Sequence, residues 1–278
     1  MRAMILAAGR GERMRPLTDT TPKPLLPVGG QPLIVWHIKR LAAAGFRDII
    51  INHAWLGEKI ESALGSGKKF GVRLSYSSEP TPLETAGGIA RALPFFQNRP
   101  FLVINGDVWC DWNPAQACAV SAAMAKHNAL AWLLLVNNPA HNPEGDFVLA
   151  NAGATPAESA AWASTSPRAA ATPATLGAPR SEHPTTVPNP IAIGQVHPNE
   201  PPVSNAQRLT FAGIGIYHPA LFNNILPDTP APLAPLLRHA IETGRVIGSF
   251  HPADWVDVGT PERLQTLDQR LARSGPAR

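Results

Sequence analysis

The chain has too few cysteines for a covalent framework, and no apolar run long enough to cross a bilayer. Cys110 and Cys118 are the only two thiols in 278 residues. Their spacing suits neither a disulfide scaffold nor a zinc site, so reduced, structural thiols are expected. The apolar stretch Met4 to Ala8 is about half the length of a signal-peptide core and runs straight into glycine and charge. Nothing approaches the roughly 18 apolar residues of a membrane span. A cytoplasmic chain with no membrane partner is the expectation. Charge is also scarce: 16% of residues are Asp, Glu, Lys or Arg, and the formal net charge of +4 comes without a Lys/Arg block or basic helical stripe. That distribution argues against nucleic acid and for a small phosphorylated ligand.

What is present is an ordinary globular composition, 44% hydrophobic, with 30 prolines unevenly placed. Up to residue 136, short apolar runs alternate with longer amphipathic ones, the pattern of βαβ units around a mostly parallel sheet. Strands are read at Ala3 to Ala7, Asp48 to Asn52, Val72 to Ser77, Phe101 to Asn105 and Leu130 to Val136. A helix follows Pro32 and ends before Gly45; another is read from Trp55 to Leu64, closed by Gly65. From Asn151 to Asn205 the pattern stops. Ten prolines fall there, with one aromatic, Trp162, and no lysine, which is too little apolar surface to offset ordering entropy. This reads as a long disordered insertion at 151–207, between a nucleotide-binding core at 1–150 and a C-terminal part at 208–278 of the same domain. The C-terminal part holds a strand at Arg208 to Tyr217, a helix around Pro232 to Thr243, a strand at Arg245 to Phe250, and a last helix opening at Pro261 with Thr260 as its cap.

Three segments carry chemistry. The first strand runs into Leu6-Ala7-Ala8-Gly9-Arg10-Gly11-Glu12-Arg13, and Pro22-Lys23-Pro24 follows. Small residues there let backbone N–H groups approach phosphate oxygens, although a glycine-rich turn alone has the same composition. Arg10, Arg13, Arg15 and Lys23 add four cations with only Glu12 and Asp19 nearby, which a triphosphate would balance. The strand at Phe101 ends in Asn105-Gly106-Asp107, where open α/β sheets bind ligands; as a local sequence it also suits a plain turn. Asp257 sits inside the apolar run Trp255 to Thr260 and needs a cation or hydrogen-bond donors. Two carboxylates sharing one Mg²⁺ account for both aspartates together. Thr85, Gly87 and Gly88 at a helix start suit either a base and ribose or a cap.

In this order, the motifs resemble the signature of the sugar-1-phosphate nucleotidyltransferases. A narrower likeness lies in Asn52 to Gly57, Pro82 to Thr85, Asn105 to Trp109 and Leu209 to Ile214. It is to the uridylyltransferase branch serving cell-wall sugar recycling in Gram-negative bacteria. The resemblance implies a Rossmann-like nucleotidyltransferase fold, a mixed sheet flanked by helices, acting as a monomer or small homo-oligomer on UTP and a sugar 1-phosphate with Mg²⁺. It places Leu6, Ala7, Ala8, Gly9 and Asn105 against the nucleotide, Gly11 and Arg13 on the outer phosphates, and Lys23 on the α-phosphate. Asp107 and Asp257 fall on the metal, and Glu79, Thr85, Gly87 and Gly88 near uracil and ribose. Asp146, Phe147 and Gly213 fall on the sugar. Arg13, Lys23 and Asp107 are the implied catalytic set. One departure stands out: many relatives carry a lysine before the strand at Arg208 to meet the sugar phosphate. This chain has none there, which leaves Arg208 or the metal. Thymidylyl or guanylyl transfer to glucose- or mannose-1-phosphate is the rival activity, and a silent nucleotide-sugar sensor the rival class.

Two outcomes are expected from the sequence. Asp107→Ala abolishes metal-dependent turnover with the fold intact, near-normal pyrophosphate release being the contrary result. Excising Ala152 to Ser204 with a short linker leaves turnover largely unchanged; a hundredfold loss would make the segment a lid.

Overall fold

A computed structural model describes residues 1–150, 193–197 and 206–273. Its strands are Ala3–Leu6 (β1), Pro27–Val28 (β2), Gln31–Pro32 (β3), Asp48–His53 (β4), Arg73–Ser78 (β5), Phe101–Asn105 (β6), Val108–Cys110 (β7), Ala131–Val136 (β8), Phe147–Ala150 (β9), Gly194–His197 (β10), Ala206–Tyr217 (β11), Val246–Phe250 (β12) and Trp255–Asp257 (β13). The α-helices are Leu17–Thr20 (α1), Leu33–Ala43 (α2), Gly57–Leu64 (α3), Glu84–Phe96 (α4), Ala117–Lys126 (α5), Leu233–Glu242 (α6) and Pro261–Arg273 (α7). None is long and apolar enough to cross a membrane.

The main sheet has nine strands in the order β5-β4-β1-β6-β11-β8-β12-β10-β9. Every strand in it points one way except β10 and β11, which run against their neighbours. The mostly parallel sheet read from the apolar runs forms, and it is mixed as the resemblance implies. Strands buried on both faces need no polar alternation, and Ala3–Ile5 and Ala131–Val136 are indeed buried throughout. Alternate residues then face opposite cores. Ile5, Ile49, Ile51 and Leu102 pack on Ile38 and Leu41 of α2 and Ile60 of α3. Met4, Ile50, Phe101 and Val103 pack on Ile89 and Phe96 of α4 and Leu237 of α6. A third, smaller core joins Met14, Leu26 and Val28 to Val258, Leu264 and Leu267, so α7 docks beneath the loop that follows β1. That dock is pinned by the Gly29 amide, which donates to Asp268 Oδ1 at 2.7 Å.

One helix boundary differs from the sequence reading for a steric reason. α3 starts at Gly57 rather than Trp55, because Leu56 before it is left-handed (φ 53°). A Cβ at Gly57 would lie 1.9 Å from His53 Nδ1, so the helix can only pass this buried histidine at a glycine. α4 starts at Glu84, itself at φ 56°.

The larger difference concerns the segment read as a structureless insertion. Within it, β10 pairs antiparallel with β12 through Gly194 and Gln195 and with β9 through Gln195 to His197, and β11 begins at Ala206 against Ala150. The composition argument averaged over the whole stretch and so hid four residues whose ladder bonds come from distant strands. The rest of that reading falls on 151–192 and 198–205, outside the described residues.

Because Ala150 and Gln195 are Cα partners, a tight turn can bridge the two strands. Replacing 152–192 by a turn of about four residues is expected to leave turnover unchanged and to gain about 2 kcal/mol in loop-closure entropy. Excising 152–204 also removes β10 and should lower the urea midpoint. Equal midpoints for the two deletions would show that β10 contributes nothing.

Candidate active site

Two adjoining cavities open at the carboxyl ends of the parallel strands, the position where an open α/β sheet leaves a crevice. The first, about 380 Å³, is lined by the loop after β1 (Leu6, Ala7, Ala8, Gly9, Gly11, Arg13), by Lys23, and by Asn52, Asn105 and Asp107 at or beyond the ends of β4 and β6. The second, about 810 Å³, is lined by Asp146, Phe147 and Phe211 and by Leu233, Leu237 and Arg238 of α6. Glu84, Thr85 and Asn105 border both. Volumes of this size suit small ligands.

Lys23 sits in a single 3-10 turn entered through Pro22 and continued by Pro24. Its side chain is only 9% exposed, and Nζ donates to Asp107 Oδ2 at 2.7 Å. Proline on both sides fixes the backbone, so the ammonium is aimed at the cavity floor. The four-cation cluster expected in this loop resolves differently. Arg10 lies over the Trp55 ring, 4.0 Å from its centroid, and pairs with Glu12 at 2.7 Å. Arg15 pairs with Asp19 at 2.7 Å. Arg13 is exposed and makes no ion pair among the described residues, so two cations, Arg13 and Lys23, serve the cavity.

Asp107 and Asp257 are brought together by the β7–β13 ladder, in which Asp257 is the partner of Val108. The Val258 amide also donates to the Asp107 carbonyl at 2.8 Å. Each carboxylate is already met by a cation: Lys23 on Asp107, and Arg263 Nη1 on Asp257 at 2.8 Å. Asp107, in the turn before β7, faces the first cavity, whereas Asp257, at the end of β13, lines neither cavity; both are hard oxygen donors of the type that could hold a divalent ion. A different cluster, Cys110, Asp111 and His251, also gathers metal-type ligand atoms. There burial pushes the Cys110 thiol up to about 12, His251 and Asp111 satisfy each other at 2.6 Å, and none of the three lines either cavity.

Four expected contact residues lie behind the cavity walls. Glu79 is buried; Oε1 accepts from Asn52 Nδ2 at 2.7 Å and Oε2 from the Leu83 amide at 2.9 Å. Asn52 Oδ1 in turn accepts from the Ala7 amide at 3.0 Å. This chain ties the 79–83 loop to the end of β1, so Glu79 braces the wall and lines neither cavity. Gly88 is glycine because a Cβ would lie 2.6 Å from Glu79 Oε1. Gly87 donates to the Ala231 carbonyl at 3.1 Å and faces that backbone. Gly213, at φ 74° in the β11 bulge, makes room for Asn105 Nδ2, 2.8 Å from where its Cβ would be. The sequence reading also missed lining residues: Asn52, Pro82, Glu84 and Gly259 in the first cavity, Arg238 and the α6 leucines in the second. Asn52, Pro82, Glu84 and Gly259 all fall in segments the sequence singled out, whereas Arg238 and the α6 leucines fall in none.

A family model for nucleotidyl transferases matches residues 2–146. A curated relative from Neisseria meningitidis serogroup B, N-acetylmuramate alpha-1-phosphate uridylyltransferase, is 46% identical over 266 residues, 95% of this chain and 96% of its own. The chain belongs to the sugar-1-phosphate nucleotidyltransferase family. As a member of that family it is an enzyme, with a nucleotide and a sugar phosphate as its substrate classes. A more distant relative, mannose-1-phosphate guanylyltransferase of Mycobacterium tuberculosis, is 39% identical over 106 residues, 38% of this chain and 30% of that protein. Among solved structures, a Bacillus anthracis protein assigned as a glucose-1-phosphate thymidylyltransferase, crystallised with sucrose, superposes with a TM-score of 0.69. It is 22% identical, over 98% of this chain and 95% of its own, which supports the nucleotidyltransferase fold.

Behind Asp107, His37 of α2 is buried, with a hydrogen bond to the Val108 backbone and no partner for Nε2 among the described residues. Burial, with Arg40 alongside, lowers its pKa from 6.5 to about 4. The unfolded chain therefore takes up a proton first. The stability tied to neutral His37 is complete above about pH 6.5, and about 3 kcal/mol of it is lost as pH falls to about 4. Between pH 7 and pH 5, His37→Leu is expected to lose about 2 kcal/mol less stability than the parent in urea unfolding. Parallel losses would show that His37 is not the titrating group.

Proposed function

We propose that the enzyme transfers the uridylyl group of UTP to N-acetylmuramate 1-phosphate, releasing pyrophosphate, in cytoplasmic recycling of cell-wall sugar. The observation that carries this reading is the 46% identity to the uridylyltransferase across 95% of the chain. That span includes the β9, β11 and α6 residues of the second cavity. The guanylyltransferase match extends over 38% of the chain and 30% of that protein.

The nucleotide would occupy the first cavity, with its base toward Asn52, Pro82 and Thr85 and its phosphates along Leu6 to Gly11. The sugar would lie against Asp146 and Phe147, its phosphate at the border formed by Thr85 and Asn105. An acceptor phosphate oxygen attacks the α-phosphorus of UTP, a new P–O bond forms, and the α–β bridging bond breaks with its electron pair leaving on pyrophosphate. That oxygen is already an anion at neutral pH, so no general base is required. Alignment and charge neutralisation supply the acceleration. Lys23 exchanges its Asp107 contact for the α-phosphate, and Arg13 neutralises the departing pyrophosphate. Asp107 and Asp257 would hold Mg²⁺, which when bound supplies Lewis-acid neutralisation of the phosphate oxygens.

Pyrophosphate release measured with UTP, dTTP and GTP against several sugar 1-phosphates should give the highest kcat/KM for UTP with N-acetylmuramate 1-phosphate. A higher value for dTTP or GTP with glucose- or mannose-1-phosphate would overturn the assignment. Asp107→Ala is a poorer probe than the sequence suggested, because it also removes the ion-pair partner of the Lys23 ammonium. Asp107→Asn keeps a hydrogen-bond acceptor. It is expected to lower kcat about a hundredfold or more with little change in the unfolding midpoint; near-parental kcat would remove Asp107 from the mechanism.

A further inference from the structure

The second cavity carries one positive side chain among its described lining residues, Arg238 on α6. The other charged groups there are Glu84 and Asp146, and Asp146 is already committed. Its Oδ1 accepts from Asn142 Nδ2 at 3.0 Å and its Oδ2 from the Phe211 amide at 2.8 Å. Arg208, the residue the sequence offered for the acceptor phosphate, directs Nη1 to Glu144 Oε2 at 3.0 Å and does not line the cavity. Arg238 is exposed and makes no hydrogen bond or ion pair among the described residues. An uncommitted guanidinium in a pocket whose other charged groups are carboxylates is placed to meet an anionic ligand group.

Which anion follows from position. The acceptor phosphate must reach the first cavity, across the border of Glu84, Thr85 and Asn105. Arg238 lines the second cavity only, with Leu233, Ala234 and Leu237 beside it. A group it meets therefore sits on the sugar, away from the phosphate. N-acetylmuramate differs from neutral N-acetylhexosamines by an ether-linked lactate, a methyl and a carboxylate on one short arm. We infer that Arg238 binds that carboxylate as a two-pronged partner while Leu233 and Leu237 cover the methyl, making Arg238 the residue that selects the acidic sugar. This rests on the proposed substrate and adds the group that distinguishes it.

The test compares R238Q and R238K with the parent, using UTP and either N-acetylmuramate 1-phosphate or N-acetylglucosamine 1-phosphate, which lacks the lactyl arm. Glutamine matches arginine in helix propensity, so the exposed α6 position tolerates it. For R238Q, KM for the acidic substrate is expected to rise about tenfold to a hundredfold, with kcat little changed and kcat/KM for the neutral substrate unaltered. R238K should recover part of the loss, since it keeps the charge without the fork. Equal losses on both substrates would give Arg238 to the phosphate or to structure and overturn the inference. An unchanged KM for the acidic substrate overturns the arginine alone. A parent enzyme that ignores N-acetylmuramate 1-phosphate overturns the functional reading together with it.

Discussion

The site depends on a short antiparallel ladder. Residues 108–110 and 255–257 pair as β7 and β13, and this pairing makes backbone neighbours of Asp107 and Asp257, which lie 150 positions apart in the chain. Three residue pairs cannot by themselves offset closure of so large a loop. The dock of α7 supplies what the ladder lacks: Leu264 and Leu267 are buried against Met14, Leu26 and Val28, each contributing about 1.5–3 kcal/mol. The same contact seats the loop that carries Arg13 and Lys23. One small core thus seats both the loop carrying Arg13 and Lys23 and the segment that follows Asp257.

Within that frame, the two aspartates each have a cationic partner before any ligand enters. Lys23 and Asp107 satisfy each other, as do Arg263 and Asp257. A polyanion with a divalent ion offers each member a replacement of opposite sign, so binding rearranges pairs instead of exposing bare charges. Arg13 and Arg238 stand apart from this compensation, at the first and second cavities respectively.

Much of this was legible in the chain. Apolar runs bounded by glycine gave β1, β4, β6 and β8 to within a residue or so, because strands buried on both faces leave no polar pattern to misread. Ten of the expected contact residues line the first cavity, and Asp146 and Phe147 line the second. What stayed hidden depends on distance in sequence. β10 is a strand only because β9 and β12 flank it, and Asn52 matters because Glu79 reaches back to it. Gly87, Gly88 and Gly213 invited a ligand explanation, yet each is glycine because protein atoms press on it. Arg238 lies in a plain amphipathic helix, and nothing in its neighbourhood marks the face that meets the pocket.

The claim at the centre is that Asp107 and Asp257 act on one ion. A double-mutant cycle on Mg²⁺-dependent pyrophosphate release, with Asp107→Asn, Asp257→Asn and the pair, measures this directly. If they share the ion, the double variant should be about as impaired as the worse single one. Losses that multiply, leaving the double variant lower by the product of the two single effects, would mean that the carboxylates work independently and would contradict the account.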